Sequence, residues 1–154
     1  MYRQGVGIFL LNQDKKIWVG KRADNKHGNV WQMPQGGIDE NEKPEDAVLR
    51  ELYEETGIKK EYVKILSKSK LLKYDIPEDY LKNISWGNTY KGQQQYWYAM
   101  LFLGSENQIN LKLHHDIEFL EWKWIEPYSV LDSSVHFKKD LYKEVLNSFK
   151  DFVS

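Results

Sequence analysis

The stretch GGIDENEKPEDAVLRELYEETGI, Gly36 through Ile58, decides how the rest of the chain is read. Pro44 suits a first helical position, Glu45 and Asp46 sit where a helix is positive, and Gly57 provides a left-handed stop, so a helix is predicted over 44–56. Lys43 is a poor cap before it. At about 100° per residue, Glu54 and Glu55 fall about 60° and 40° to either side of Glu51. Leu49, Leu52 and Tyr53 lie on the opposite side and can pack on a sheet. Three carboxylates on one face repel by a few tenths of a kcal/mol per pair, and only Arg50 offsets them at helical spacing. A hard divalent cation would offset them, and all-oxygen ligands favour Mg²⁺ or Mn²⁺ over zinc. The glutamates taken alone are equally compatible with an ordinary solvated helix.

Outward from this helix, apolar patterning predicts strands over 6–11, 16–21, 63–74, 93–103 and 117–125. A second helix is predicted from about Phe137, with Phe137, Leu141, Tyr142, Val145, Leu146 and Phe149 on one stripe. Strands before, between and after helices imply a mixed sheet with helices packed on it. The 154 residues contain no repeat or linker, which predicts one domain over 1–154. With a formal net charge of -1 there is no overall basic field for long nucleic acid, DNA included, so any nucleic-acid contact is local. The absence of cysteine excludes a disulfide framework, a thiolate zinc site and a cysteine nucleophile, and favours a cytoplasmic setting. The longest apolar run, Tyr96 to Leu103, is too short to span a membrane, and no secretion signal is expected. Residues 36–58 concentrate acid, whereas 59–73 hold six lysines against Glu61. That juxtaposition suits a metal-bridged polyphosphate with ammonium groups facing it, or two solvated faces.

The full 36–58 stretch resembles the Nudix box without a departure, matching its glycine, Glu42, Arg50-Glu51, an aliphatic residue, Glu54-Glu55, Gly57 and a final aliphatic residue. The likeness extends over nearly the whole chain: the opening 2–7, the approach 31–37, the segment 92–97, Glu118-Phe119 and 135–138 look like the bacterial RNA pyrophosphohydrolase and dinucleoside polyphosphate hydrolase branch. The resemblance implies an α/β/α sandwich around a mixed sheet and hydrolysis of a nucleoside diphosphate linked to another group. It implies that Glu51, Glu54 and Glu55 ligate metal together with a backbone carbonyl near Gln35 or Gly36. Arg50 would orient a glutamate, Glu42 would tie loop to helix, and more than one ion would be bound. The general base is expected to be Glu51 or Glu118. Glu118 is expected as a further metal or base carboxylate, at the end of an apolar face shared with Leu120, Trp122 and Trp124; otherwise it is a solvated strand end.

Among substrates, Tyr74 lies 16 positions past the end of the box, an offset that resembles the dinucleoside-polyphosphate hydrolases. Its ring can stack a base, with Lys68 and Lys70 on its face if the strand has no bulge, or it packs the sheet. The resemblance makes Arg3, Lys138 and Phe137 substrate contacts, with Arg22 a further phosphate candidate. The segment 75–91 is long for a connection and is a candidate substrate-side flap hinged at Gly87 and Gly92. His27, His114, His115 and His136 lack ligand spacing and receive no role. The expected activity is release of pyrophosphate from 5′-triphosphate RNA ends, cleavage of dinucleoside polyphosphates, or both. Nucleotide-pool sanitising is the enzymatic alternative, and a catalytically silent RNA-binding Nudix module is the non-enzymatic one.

Overall fold

The computed structural model describes residues 1–23 and 30–153, and His27 lies outside them. Strands β1 (Tyr2–Leu11), β2 (Ile17–Arg22), β3 (Trp31–Gln32), β4 (Gln35–Gly37), β5 (Val63–Lys68), β6 (Leu72–Asp75), β7 (Gly92–Phe102) and β8 (Phe119–Ile125) join one mixed sheet. At its centre β1 and β7 run parallel, in register from Tyr2 opposite Gly92 to Leu11 opposite Leu101. Parallel pairs are covered on both faces, so their strands read as continuous apolar runs, and β1 is buried without a break from Gly5 to Leu11. The other pairings are antiparallel: β2 and β4 join β1, β3 and β8 join β2, and β5 and β6 join β7.

Helix α1 (Pro44–Thr56) covers one face of the sheet with Ala47, Val48 and Leu52, set against Val6, Ile8, Trp18, Tyr98 and Met100. The bounds match the expected helix, Lys43 makes no side-chain cap, and Gly57 ends it at φ 75° with its N–H donated to the Tyr53 carbonyl. That φ carries no Cβ penalty only for glycine. Short helices α2 (Glu78–Leu81) and α3 (Val130–Ser133) precede α4 (Lys139–Ser148). On the opposite face, Leu141, Tyr142, Val145 and Leu146 of α4 pack with Phe9, Val19, Trp97 and Ala99. Phe137 precedes α4 in a turn of 3₁₀-helix and is half-buried against that core. The result is an α/β/α sandwich, as the family resemblance implied.

The structure corrects four local expectations. The strand expected over 63–74 is two, because Ser69 interrupts it: the Ser69 hydroxyl accepts the Trp97 N–H at 2.9 Å and donates to the Lys70 carbonyl at 2.7 Å. Lys68 and Lys70 therefore do not share a face with Tyr74; Lys68 lies over the Tyr96 ring instead. In β8 the register with β2 shifts, so that Lys21 faces Glu121 but Arg22 faces Phe119, and Leu120 is left 56% exposed. This bulge puts Phe119, rather than Leu120, into the cluster with Trp122 and Trp124, and breaks the parity assumed for Glu118. Gly92 is a ladder residue between Tyr2 and Asp75, so it does not hinge the 75–91 segment.

Candidate active site

Strand β4 lies antiparallel to β1, with Val6 opposite Gly36 and Gly5 opposite Gly37, which brings the start of the glycine loop beneath the C-terminal half of α1. A Cβ on Gly36 would stand 2.0 Å from the Glu51 carboxyl carbon, so glycine is what admits that carboxylate to the backbone. Loop and helix are tied by Arg50. Its Nε and Nη2 donate to the two oxygens of Glu42, each at 2.8 Å, and Nη2 also donates to the Gly37 carbonyl at 2.9 Å. Its Nη1 donates to Glu51 at 2.9 Å and Glu54 at 3.1 Å. Glu42 further accepts the Asp39 N–H at 2.9 Å. The bidentate guanidinium holds the Glu42 carboxyl down at about 2 and raises Arg50 itself.

Beside this network opens a cleft of about 370 Å³. Glu51, Glu55 and Glu118 line it with Arg3, Arg22 and Lys138, while Tyr74, Tyr80, Trp86 and Phe137 form an aromatic wall. Glu55 is 7% exposed, and one of its oxygens is buried without a hydrogen-bond partner. Burial, reinforced by Glu51 and Glu118, pushes its carboxyl well above the usual range. Burial likewise pushes Glu51 up to about 7 against the pull of Arg50. Glu118, off the end of β8, stands 3.9 Å from Arg22. Among the described residues no three acidic or histidine side chains already converge as a finished metal cage. The donor set nevertheless fits a hard cation: an orphaned buried carboxylate oxygen is crowded by two further carboxylates, and the buried Lys138 offsets them only in part.

The expected site residues divide by place. Glu51, Glu55, Glu118, Gly36, Arg3, Arg22, Tyr74, Phe137 and Lys138 all border the cleft. Glu54 does not line it and is held by Arg50. Lys138 is only 4% exposed, donating to Gln32 at 2.6 Å, and burial with nearby Arg22 lowers it to about 7. Tyr74 is likewise nearly buried, its hydroxyl accepting from Gln35 at 3.0 Å and Gln93 at 2.8 Å, with its ring stacked on Phe137 at 6.4 Å. None of the six lysines of 59–73 lines the cleft, so of the two readings of the acidic and basic runs the one that has these lysines facing a polyphosphate there does not hold. Two residues the sequence reading missed are Tyr80, 4.8 Å edge-on to Phe137, and Trp86, which carries the Arg3 guanidinium at 4.9 Å. Two aromatics inside the suspected flap were the available signal.

An α/β/α sandwich in which a glycine loop and a glutamate-rich helix hold carboxylates against a cationic cleft defines a class of phosphoanhydride hydrolase. The chain belongs to the NUDIX domain family, which it matches over residues 1–145, and whose hydrolases use divalent metal ions. It is 42% identical over 153 residues to the RNA pyrophosphohydrolase of Novosphingobium aromaticivorans, covering 99% of this chain and 94% of that protein. Among solved structures, the E. coli dihydroneopterin triphosphate pyrophosphohydrolase has a TM-score of 0.73 at 18% identity, covering 96% of this chain and 99% of that one. A C. elegans Ap4A hydrolase binary complex has a TM-score of 0.69 at 17% identity, covering 97% and 98%. The two structural likenesses speak for the fold.

Proposed function

We propose that this protein is a pyrophosphohydrolase that removes pyrophosphate from the 5′-triphosphate end of RNA and also splits dinucleoside polyphosphates of the Ap4A type, by attack of water on phosphorus. The observation that carries the reading is the meeting, in one cleft, of Glu51, Glu55 and Glu118 with Arg3 and Arg22 under an aromatic wall. The name of the Novosphingobium relative favours the RNA end, and that of the C. elegans neighbour the dinucleoside polyphosphate. On this reading residues 1–154 act as one Nudix domain in the cytoplasm, with no role on DNA; no described helix is long and apolar enough to cross a membrane.

Glu51, Glu55 and Glu118, with the Gly36 carbonyl, would hold Mg²⁺ or Mn²⁺, more than one ion per site, and Glu54 joins them if it leaves Arg50. Bound ions would neutralise the polyphosphate and make the attacking water more acidic. Arg3 and Arg22 bind non-bridging phosphate oxygens at the mouth of the cleft. Tyr74, Phe137 and Tyr80 seat the first nucleoside against their rings. Glu51 takes the proton of the attacking water at its carboxylate oxygen. Glu118 is the second candidate for that proton. As the new P–O bond forms, the bond to pyrophosphate breaks, with Arg3 gripping the phosphates alike before and during the step. Arg50 keeps Glu51 from turning away and is a positioning residue. Lys138 holds Gln32 beneath the cleft and lends its charge to Glu55 and Glu118.

The test is to compare kcat/KM with Mg²⁺ on triphosphorylated RNA, diadenosine tetraphosphate and free nucleoside triphosphates. The reading expects the first two to be cleaved well. A marked preference for free nucleoside triphosphates would replace it with nucleotide-pool sanitising.

A further inference from the structure

Two of the lysines of 59–73 that the cleft leaves unused, Lys68 and Lys73, have a place of their own. Side chains directly opposite across a ladder share a face, and alternation sends neighbours to opposite faces. On the α1 side of the sheet, apolar packing on β1 begins at Val6. Beyond it that face continues uncovered: Gln4 is opposite Gln94, which is opposite Lys73, and Tyr2 reaches across side-chain-free Gly92 to Asp75, donating at 2.6 Å. Lys73 and Lys91 stand 5.3 and 5.1 Å over the Tyr2 ring, and Lys68 stands 4.1 Å over Tyr96. Gln4, Lys68, Lys73 and Lys91 are exposed, while Tyr2 and Tyr96 are half-buried. Asp75, engaged by Tyr2, is the carboxylate bordering this end of the strip. Arg3 and Tyr74, the neighbours of Tyr2 and Lys73, alternate through the sheet into the cleft.

A flat sheet surface with aromatic rings, amides and lysines has the chemistry of a single-stranded nucleic-acid platform: rings stack bases, ammonium groups meet phosphates, and amides reach base edges and 2′-hydroxyls. We propose that this strip of Tyr2, Gln4, Lys68, Lys73, Gln94 and Tyr96 binds the single-stranded RNA downstream of the 5′ end whose phosphates enter the cleft. The proposal rests on the RNA-end reading above, deepens it, and explains how a chain of net charge -1 holds a polyanion locally. It assigns Lys68 and Lys73 of the basic run to the RNA body rather than to the triphosphate.

The test separates the two sites. Binding of a 5′-hydroxyl single-stranded RNA, on the order of twenty nucleotides long so as to exceed one such platform, is measured by fluorescence anisotropy in EDTA over a salt series. Turnover with Mg²⁺ is measured on a triphosphorylated dinucleotide and on the long RNA carrying a 5′-triphosphate. For Lys68→Gln combined with Lys73→Gln, the expected result is a salt slope smaller by about 1.4, two phosphate contacts on a single strand. Tyr96→Leu is expected to weaken binding about fivefold or more with the slope unchanged. Both variants should raise KM on the long RNA and leave the dinucleotide untouched, with the thermal midpoint of the exposed lysine pair at the wild-type value. Wild-type affinity of the variants for the 5′-hydroxyl RNA, or equal losses on long and short substrates, overturns the proposal. So does an effect confined to anionic lipid vesicles. Retained binding of the 5′-hydroxyl RNA with no turnover on either triphosphate would overturn the reading of the cleft instead and leave the strip standing.

Discussion

Metal-free protein should lose stability as pH rises from 5 to 7, against the usual trend for a carboxylate-rich domain. Glu51, whose side chain is 14% exposed, has its carboxyl raised from 4.5 to about 7. A carboxyl that holds its proton more tightly when folded gives its full stabilisation below the unfolded value and loses it as pH climbs through the folded one. The displacement corresponds to about 3 kcal/mol in all, of which about 2 to 3 kcal/mol falls between pH 5 and 7. Glu55 is raised by the same cause, so its contribution has the same sign. Two other shifted groups add little in this window. Glu42, held at about 2 by Arg50, is ionised in both states above the normal carboxyl range, and its stabilisation is lost only on acidification toward 2. Lys138, lowered to about 7, starts to lose its proton in the folded state only at the top of the window, where it adds about 0.4 kcal/mol of the opposite sign. Urea unfolding in EDTA across the window, with Glu51→Gln as control, reads the effect. Saturating Mg²⁺ should remove or reverse the slope, because the cation binds the deprotonated carboxylates. A metal-free stability that holds or climbs from pH 5 to 7, or an unchanged slope in Glu51→Gln, would refute the reasoning.

Three further outcomes follow from the same geometry. Glu55→Gln should lower turnover by orders of magnitude while raising the metal-free thermal midpoint above neutral pH, since it removes a buried charge with an unpartnered oxygen; a lowered midpoint with activity kept would make Glu55 structural. Arg50→Ala strips Glu42 of its bidentate partner and frees Glu51 and Glu54, so it should cost about 2 kcal/mol or more by urea unfolding and reduce kcat as well, with Arg50→Lys recovering little of either. Arg3→Ala, which touches no proposed metal ligand, should chiefly raise KM in steady-state kinetics while the metal titration is unchanged.

The sequence was most informative where one local rule decides the outcome. Pro44 and Gly57 bracket α1 because a fixed φ suits its first turn and glycine takes the left-handed stop without strain. The helical period holds in part: Glu51 and Glu55 reach the cleft, Glu54 turns to Arg50, and Tyr53, expected on the sheet, is 43% exposed. The apolar runs at 6–11 and 96–103 marked two strands by composition, and the structure makes them the doubly covered centre of the sheet. What failed depended on long-range geometry. The break at Ser69 arises from a hydroxyl that finds Trp97 28 positions away, and the bulge in β8 from its fit to β2. No periodicity shows either. The burial of Lys138 under the cleft depends on Gln32, 106 positions earlier, supplying an acceptor. Composition suggested an acid face and a basic face looking at one ligand; the sheet turns most of the basic residues elsewhere, because alternate residues of a strand leave by opposite faces.

On the proposed reading, water attacks so as to release pyrophosphate from an RNA end. The most direct measurement is the product formed from RNA labelled in its 5′ γ-phosphate and incubated with Mg²⁺. The account predicts labelled pyrophosphate, a 5′-monophosphate RNA end, and no release in EDTA. Labelled orthophosphate as the first product, or the same release without metal, would contradict it.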